Sequence, residues 1–315
     1  MDVPPLKFAT EVSFADGDFV DLGWHETQIG VLPLVHIRAG VIRPLGTCFS
    51  ITNDGLCMTA RHVIEDGVKL TQEPYVELDA DKQGTFGALY ISSDPHDLGP
   101  PHVMGGLLPM HRVHTCNGLD IALIKLTLPV SRETGETLFF PAHRLRLSMP
   151  GVGEQFFGLG YRTMSWTQGT VPRHYDVSQT YAATRGQVEE LHAGGRDTAM
   201  LPFPSFRTSA RLDAGMSGGP LMDQSGRVFG VVCSSFGLAS DDSGHVSFGS
   251  LVGPAMGMGL EVQDDDQTVR QTFLWEMAER GAVSADSRGF AATRDGDALQ
   301  ISIGQSLGLT ATLKG

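Results

Sequence analysis

At 315 residues, 41% of them hydrophobic and 19% charged, the chain has ample material for the core of one or two folded domains. A net charge of −13 without any Lys/Arg-rich stripe argues against a nucleic-acid binder. The four cysteines, Cys48, Cys57, Cys116 and Cys233, form no C-x-x-C pair, and a chain of this length needs no disulfide staples.

Residues 1–28 read as an acidic, weakly patterned arm with one strand near Phe14–Val20. Its first residues, Met1-Asp2-Val3-Pro4-Pro5, lack the basic and apolar regions of a signal peptide. The most apolar region, Ile29–Ile51, is broken by His36, Arg38, Arg43 and Pro44 and cannot form a transmembrane helix. The expectation is therefore a cytoplasmic chain with reduced thiols and no membrane partner.

The chain's 39 glycines and 17 prolines punctuate short apolar runs, which favours an all-β architecture. Ile29–Ile37 and Gly46–Ile51 read as strands. Asn53-Asp54-Gly55 turns the second into Leu56–Thr59, and His62 follows that strand's end. Val76–Leu78 and Gly87–Ile91 are short strands, and Ser92–Leu108 reads as a loop. Asp120 enters the apolar run Ile121–Leu126; a carboxylate there is half buried and needs a hydrogen-bonded partner. Pro129 to about Met149 reads as a crossover. Gly153–Tyr161, Thr180–Val188, Phe206–Thr208, Arg227–Cys233 and His245–Gly249 are strands of a second set. Asp266–Arg280 is expected to be a helix, with Val269, Phe273, Leu274 and Met277 on one face. The last 35 residues carry no motif and are too few for an ordinary further domain.

Within the second set lies Asp213-Ala214-Gly215-Met216-Ser217-Gly218-Gly219-Pro220-Leu221, a serine among glycines, where backbone N–H groups can crowd toward an oxyanion. A match to G-x-S-G-G is only a hypothesis by itself. Here it comes third in the order His62, Asp120, Ser217, each in its own frame: Thr59-Ala60-Arg61-His62 after a strand, Asp120-Ile121-Ala122-Leu123 entering one, and the glycine loop.

On these three motifs the chain resembles the chymotrypsin/trypsin-like serine peptidases from roughly Ile29 to Gly253, with a texture closest to intracellular or HtrA-type bacterial members. The resemblance implies two six-stranded antiparallel β-barrels with the active site in the cleft between them, here followed by a C-terminal helix. It divides the chain into an arm (1–28), a first barrel (29–130), a crossover (131–148), a second barrel (149–258) and a helix with a tail (259–315). It implies His62 as general base and acid, Asp120 as its orienting carboxylate, and Ser217 as nucleophile. The N–H groups of Gly215 and Ser217 would form the oxyanion hole. Arg211 falls at the family's pocket-base position, where it would favour an acidic P1 residue or else pair with Asp213. Cys233, Ser234 and Ser235 match the strand that binds substrate backbone. Peptide or protein substrates are implied, with no cofactor and no metal. Two departures stand out. Met216 replaces the aspartate that pairs with a cut N-terminus in many secreted members, and Val63 replaces the cysteine partner expected for Cys48.

Other readings of the same residues remain. The protease fold could serve as a latent or inactive regulatory module that needs a partner to order its site. Gly215–Gly219 also fits the nucleophile elbow of α/β-hydrolases, but only His245, with Asp241 and Asp242 just before it, follows the serine. His111, His114 and Cys116, with His102, match no common zinc spacing. Asp264-Asp265-Asp266 reads as the acidic start of a helix rather than a calcium site.

Overall fold

The computed structural model describes residues 19–22, 30–65, 67–68, 75–93, 103–130, 135, 137, 139–168, 175–237, 245–263, 269–305 and 307–313. Strand β1 (Phe19–Asp21) is followed by β2 (Val31–Arg38), β3 (Val41–Ser50) and β4 (Leu56–Thr59), then by the one-turn helix α1 (Arg61–Glu65). Next come β5 (Tyr75–Glu77), α2 (Ala80–Gln83), β6 (Thr85–Ser93), β7 (Val103–Thr115) and β8 (Ala122–Leu126). The order β7-β6-β2-β3-β4-β8 closes on itself through β7–β8 pairing, giving a six-stranded antiparallel barrel with β5 added beside β7.

After β9 (Leu145–Arg146) the second barrel comprises β10 (Gln155–Gln168), β11 (Tyr175–His192), β12 (Ser205–Thr208), β13 (Pro220–Asp223), β14 (Val228–Gly237) and β15 (His245–Leu251). Its ring order is β13-β10-β11-β12-β15-β14, closed by β13–β14 pairing. Strand β9 runs parallel to β14, and β1 extends the sheet by pairing with β11. The expected double-barrel, all-β class is therefore the observed one.

Nearly unbroken burial along β2, β4, β8 and β13 places the cores. Val31, Leu34, Phe49, Met58, Phe86, Leu123 and Ile124 fill the first barrel, while Phe156, Phe206 and Phe229 meet edge-on or tilted in the second, with centroids 5.4–6.3 Å apart. Cys48 and Cys57 are buried side by side on β3 and β4, and neither is in a disulfide. Burial and the neighbouring thiol push the Cys48 pKa up.

Three expectations need correction. Most of the stretch read as a loop before Leu108 that is described belongs to strands, because β7 begins at Val103 and pairs along β6 up to Val103↔Ser93. The C-terminal helix is only α3 (Leu274–Glu279); Val269–Phe273 is instead β17, paired with β16 (Gly259–Gln263). Glu276 sets this boundary: its Oε2 accepts the Phe273 N–H at 2.9 Å and the Thr272 hydroxyl at 2.7 Å, starting the helix after Phe273. The tail is not featureless. After β18 (Ala285–Asp286), strands β19 (Phe290–Asp295), β20 (Ala298–Ile303) and β21 (Leu307–Thr312) form an antiparallel meander.

Candidate active site

Each candidate catalytic side chain stands just outside a strand: His62 after β4, Asp120 before β8 and Ser217 before β13. All four residues of β4 are buried, so the chain leaves the first barrel at a fixed point and α1 carries His62 into the cleft. The Arg61 guanidinium donates to the Cys116 carbonyl at 3.1 Å, tying α1 to the loop that leads to Asp120. Asp120 is 6% exposed. Its Oδ1 accepts the His62 backbone N–H at 3.0 Å, and its Oδ2 lies 2.9 Å from His62 Nδ1. A carboxylate oxygen accepts, so Nδ1 carries the ring proton and Nε2 is the ring's acceptor nitrogen. The imidazole side chain is 42% exposed and therefore open to a ligand from that side.

Ser217 comes from the second barrel, between β12 and β13. Its hydroxyl donates to the Cys233 carbonyl at 3.5 Å, a long bond that leaves the oxygen loosely held. The thiol of Cys233, on β14, lies within 4.8 Å of a His62 ring nitrogen and an Asp120 oxygen. Cys233 thus has the Ser217 hydroxyl at its carbonyl and the His62–Asp120 pair near its thiol.

The loop around Ser217 is clasped by the first barrel. The Thr47 N–H donates to the Ser217 carbonyl at 2.8 Å. The Thr47 hydroxyl donates to the Gly215 carbonyl at 2.9 Å and accepts the Tyr161 N–H at 3.0 Å. Two glycines make this fit possible. Gly218 has φ +86°, and a Cβ there would lie 2.1 Å from the Thr47 oxygen; one on Gly215 would lie 2.2 Å from the Tyr161 oxygen. Met216 is fully buried among Phe156, Leu212 and Leu221, anchoring the loop by packing at the position of the family's salt-bridging aspartate.

Ala214–Met216 form a 3₁₀ turn. In it the Met216 N–H donates to the Asp213 carbonyl at 2.9 Å, and the Ser217 N–H donates to the Ala214 carbonyl at 3.4 Å. One of the two expected oxyanion donors is thus turned onto the chain's own carbonyl. Asp213, which precedes the turn, is held by Arg162 at 2.9 Å and Arg211 at 3.0 Å. Both guanidiniums face the ring of Phe19 from β1, at 3.8 and 5.4 Å from its centroid.

Arg211 is accordingly directed to Asp213 and Phe19, the alternative to a pocket base. Ser234 and Ser235 lie on β14 opposite Phe248 and Ser247 of β15. His114 is buried on β7 while His111 is exposed, and Cys116 lies just past the strand's end; His102 and Asp264–Asp266 lie outside the described residues. Among the described residues, the one group of three His, Cys, Asp or Glu side chains with converging ligand atoms is His62, Asp120 and Cys233. The thiol of Cys233 went unrecognised in the sequence, where it was only one residue of a substrate-binding strand.

A family model described as a trypsin-like peptidase domain matches residues 46–231, more than half of the chain and including all three candidate catalytic residues. The chain belongs to the trypsin-like peptidase domain family. This trypsin-like peptidase domain is also similar in fold to three crystal structures. The inactive form of a serine-to-alanine mutant of Rv3671c from M. tuberculosis H37Rv is 18% identical, with 74% of this chain and 86% of that chain covered and a TM-score of 0.42. Deg5 is 19% identical, with 73% and 86% covered and a TM-score of 0.43. The apo MamO protease domain from Magnetospirillum magneticum is 15% identical, with 72% and 94% covered and a TM-score of 0.41. No match to a curated protein was found. No helix among the described residues is long and apolar enough to cross a membrane.

Proposed function

We propose that this trypsin-like peptidase is a serine endopeptidase that cleaves polypeptide substrates through an acyl-enzyme. The observation that carries the reading is the convergence of the His62–Asp120 pair and the Ser217 hydroxyl around Cys233. In this reading His62 Nε2 takes the Ser217 proton as Oγ attacks the scissile carbonyl, and later gives it to the leaving amine. Asp120 holds the tautomer and stabilises the imidazolium. The Cys233 carbonyl and the strand Cys233–Ser235 receive the substrate backbone in extended form. An open cavity of about 400 Å³, lined by Leu45, Gly46, Tyr161, Arg162, Ala214 and Gly215, offers room beside the nucleophile loop. No cofactor is needed for this chemistry. We also read the protein as cytoplasmic, supported by four cysteines outside any disulfide.

A second feature refines the proposal. With the Ser217 N–H on the Ala214 carbonyl, the oxyanion hole is closed; the Ala214–Gly215 peptide must turn before both donors face a substrate. One missing donor costs about 3–4 kcal/mol of transition-state stabilisation, enough to keep such an enzyme nearly idle. The resting conformation is therefore latent, and substrate or a protein partner supplies the turn. A fluorophosphonate probe tests both parts. Labelling of the wild type, lost in Ser217→Ala, is expected, and addition of a polypeptide substrate or activating partner should accelerate it. Folded wild type that never labels, with or without such additions, would sink the peptidase reading. Labelling that is fast alone and unaffected by additions would sink the latency.

A further inference from the structure

His62, Asp120 and Cys233 bring an imidazole, a carboxylate and a thiol together, with one ligand atom from each inside 4.8 Å of the others. The His62–Asp120 contact is already as short as 2.9 Å. A tetrahedral zinc ion, with bonds of about 2.0–2.3 Å, needs ligand atoms roughly 3.3–3.8 Å apart. The thiol therefore has to approach by only about one ångström, within the reach of a side-chain rotation. Cys233 and Asp120 are buried at 3% and 6% exposure, whereas His62 opens to the cleft, so an ion would enter over the imidazole.

We propose that His62, Asp120 and Cys233 form a reversible Zn²⁺ site, and that its occupation switches hydrolysis off. The donor set selects the metal: a thiolate with an imidazole suits Zn²⁺, while Mg²⁺ and Ca²⁺ prefer all-oxygen shells. Three protein ligands leave a fourth position for water from the cleft. On binding, the Cys233 thiol releases its proton to solvent and its sulfur bonds the metal. If Nδ1 is the ring donor, its proton moves to Nε2, which then has no lone pair for Ser217. If Nε2 is the ring donor, that lone pair is spent on the metal. In either case the general base is lost. The thiolate and carboxylate together balance the charge of the ion, so the buried site accepts it without an unpaired charge.

The inhibitory consequence rests on the peptidase reading; the binding does not, and the test separates them. Co²⁺ added to the full chain serves as the spectroscopic probe. The expected result is a thiolate-to-cobalt charge-transfer band that Zn²⁺ displaces. It should be lost in Cys233→Ser and in His62→Ala, and kept in Cys116→Ser. Zn²⁺ should inhibit wild-type hydrolysis, with the inhibitory concentration raised at least about tenfold in Cys233→Ser if that variant turns over, since even outer partners of a metal site are worth that much. A wild type without the band, or a band unchanged in both folded variants Cys233→Ser and His62→Ala, would overturn the site. A Cys233-dependent band in a protein that never hydrolyses substrate would keep the site and defeat the peptidase reading. A Cys233-dependent band with hydrolysis unaffected at saturating Zn²⁺ would overturn the switch.

Discussion

Thr47 is the residue through which one barrel fixes the chemistry of the other. It is fully buried, and three of its hydrogen bonds reach Gly215, Ser217 and Tyr161. The Gly215 carbonyl belongs to the peptide after the one that must turn, so Thr47 holds one side of the pivot while Ala214–Gly215 rotates. Thr47→Val keeps the shape but leaves the half-buried Gly215 carbonyl and the buried Tyr161 N–H without this partner, which costs about 1–3 kcal/mol of stability. We expect a lower kcat in Thr47→Val with little change in KM, because the loss falls on positioning rather than on substrate contacts. Thr47→Ser restores the hydroxyl and should recover most of the rate. Steady-state kinetics of the two variants, with urea melts beside them, make the comparison. Loss in Thr47→Ser equal to that in Thr47→Val would mean that the hydroxyl alone does not position the loop. The candidate triad was legible at this scale because each residue sits in its own short frame. The Cys233 thiol and the Ala214 carbonyl were not: one depends on where the fold sets β14 against the His62–Asp120 pair, the other on a peptide orientation that no side-chain pattern encodes.

At the scale of elements, the barrel strands were readable because glycine and proline punctuate short apolar runs, which the fold buries almost without a break. The C-terminal region shows where that reading fails. Val269, Phe273, Leu274 and Met277 mimic a helical stripe, yet Val269 is 57% exposed and its segment pairs with β16. Pairing with a neighbouring strand outweighed a short periodic pattern that only the last six residues, Leu274–Glu279, follow as a helix. The meander β19–β21 has a similar logic. Leu299, Ile301 and Ile303 alternate inward on β20 and join the main core with Val252, Ala255, Met256 and Met258 of the turn after β15. A Cβ on Gly253 would meet Ile303 and one on Gly257 would meet Ala311 and Ile301, so the meander sits hard against that turn. Ile301→Ala should cost about 2–5 kcal/mol in chemical denaturation. Fluorophosphonate labelling of Ser217 at low temperature should persist, since Ile301 touches no candidate catalytic group. A loss below about 1 kcal/mol, measured by urea unfolding, would mean the meander is not part of the cooperative core.

For the whole molecule, acid is the condition that separates its parts. His143 lies in the crossover between barrels; its Nδ1 is 3.1 Å from the Ser50 carbonyl and its ring meets Phe49 edge-on. His114 lines a cavity of about 140 Å³ between the first barrel and the C-terminal strands. Burial lowers both pKa values to about 4, with Arg112 adding to the effect at His114 and the Ser50 bond partly opposing it at His143. In the unfolded chain both titrate near 6.5. Above that value neither state is protonated and stability is complete. As pH falls from 6.5 toward 4, only the unfolded chain gains the protons, so stability declines. Each histidine accounts for about 2 kcal/mol between pH 7.5 and 5, a large share of an ordinary domain's total for the pair. Carboxylates act at lower pH in the same direction. Asp223, with Arg227, and Asp286, held by Arg288 and Arg227, join β13 to the chain after β15, and their lowered pKa values keep that contribution until the pH drops below the ordinary carboxylate range. Urea unfolding should therefore show a first loss of about 4 kcal/mol between pH 7.5 and 5 and a steeper one further down. His143→Gln keeps a donor for Ser50 and should remove about half of the first loss, with the second unchanged. A wild-type midpoint that stays flat from pH 7.5 to 5 would show that neither histidine is held neutral, and that the crossover is not packed onto β3 in the way its buried imidazole requires.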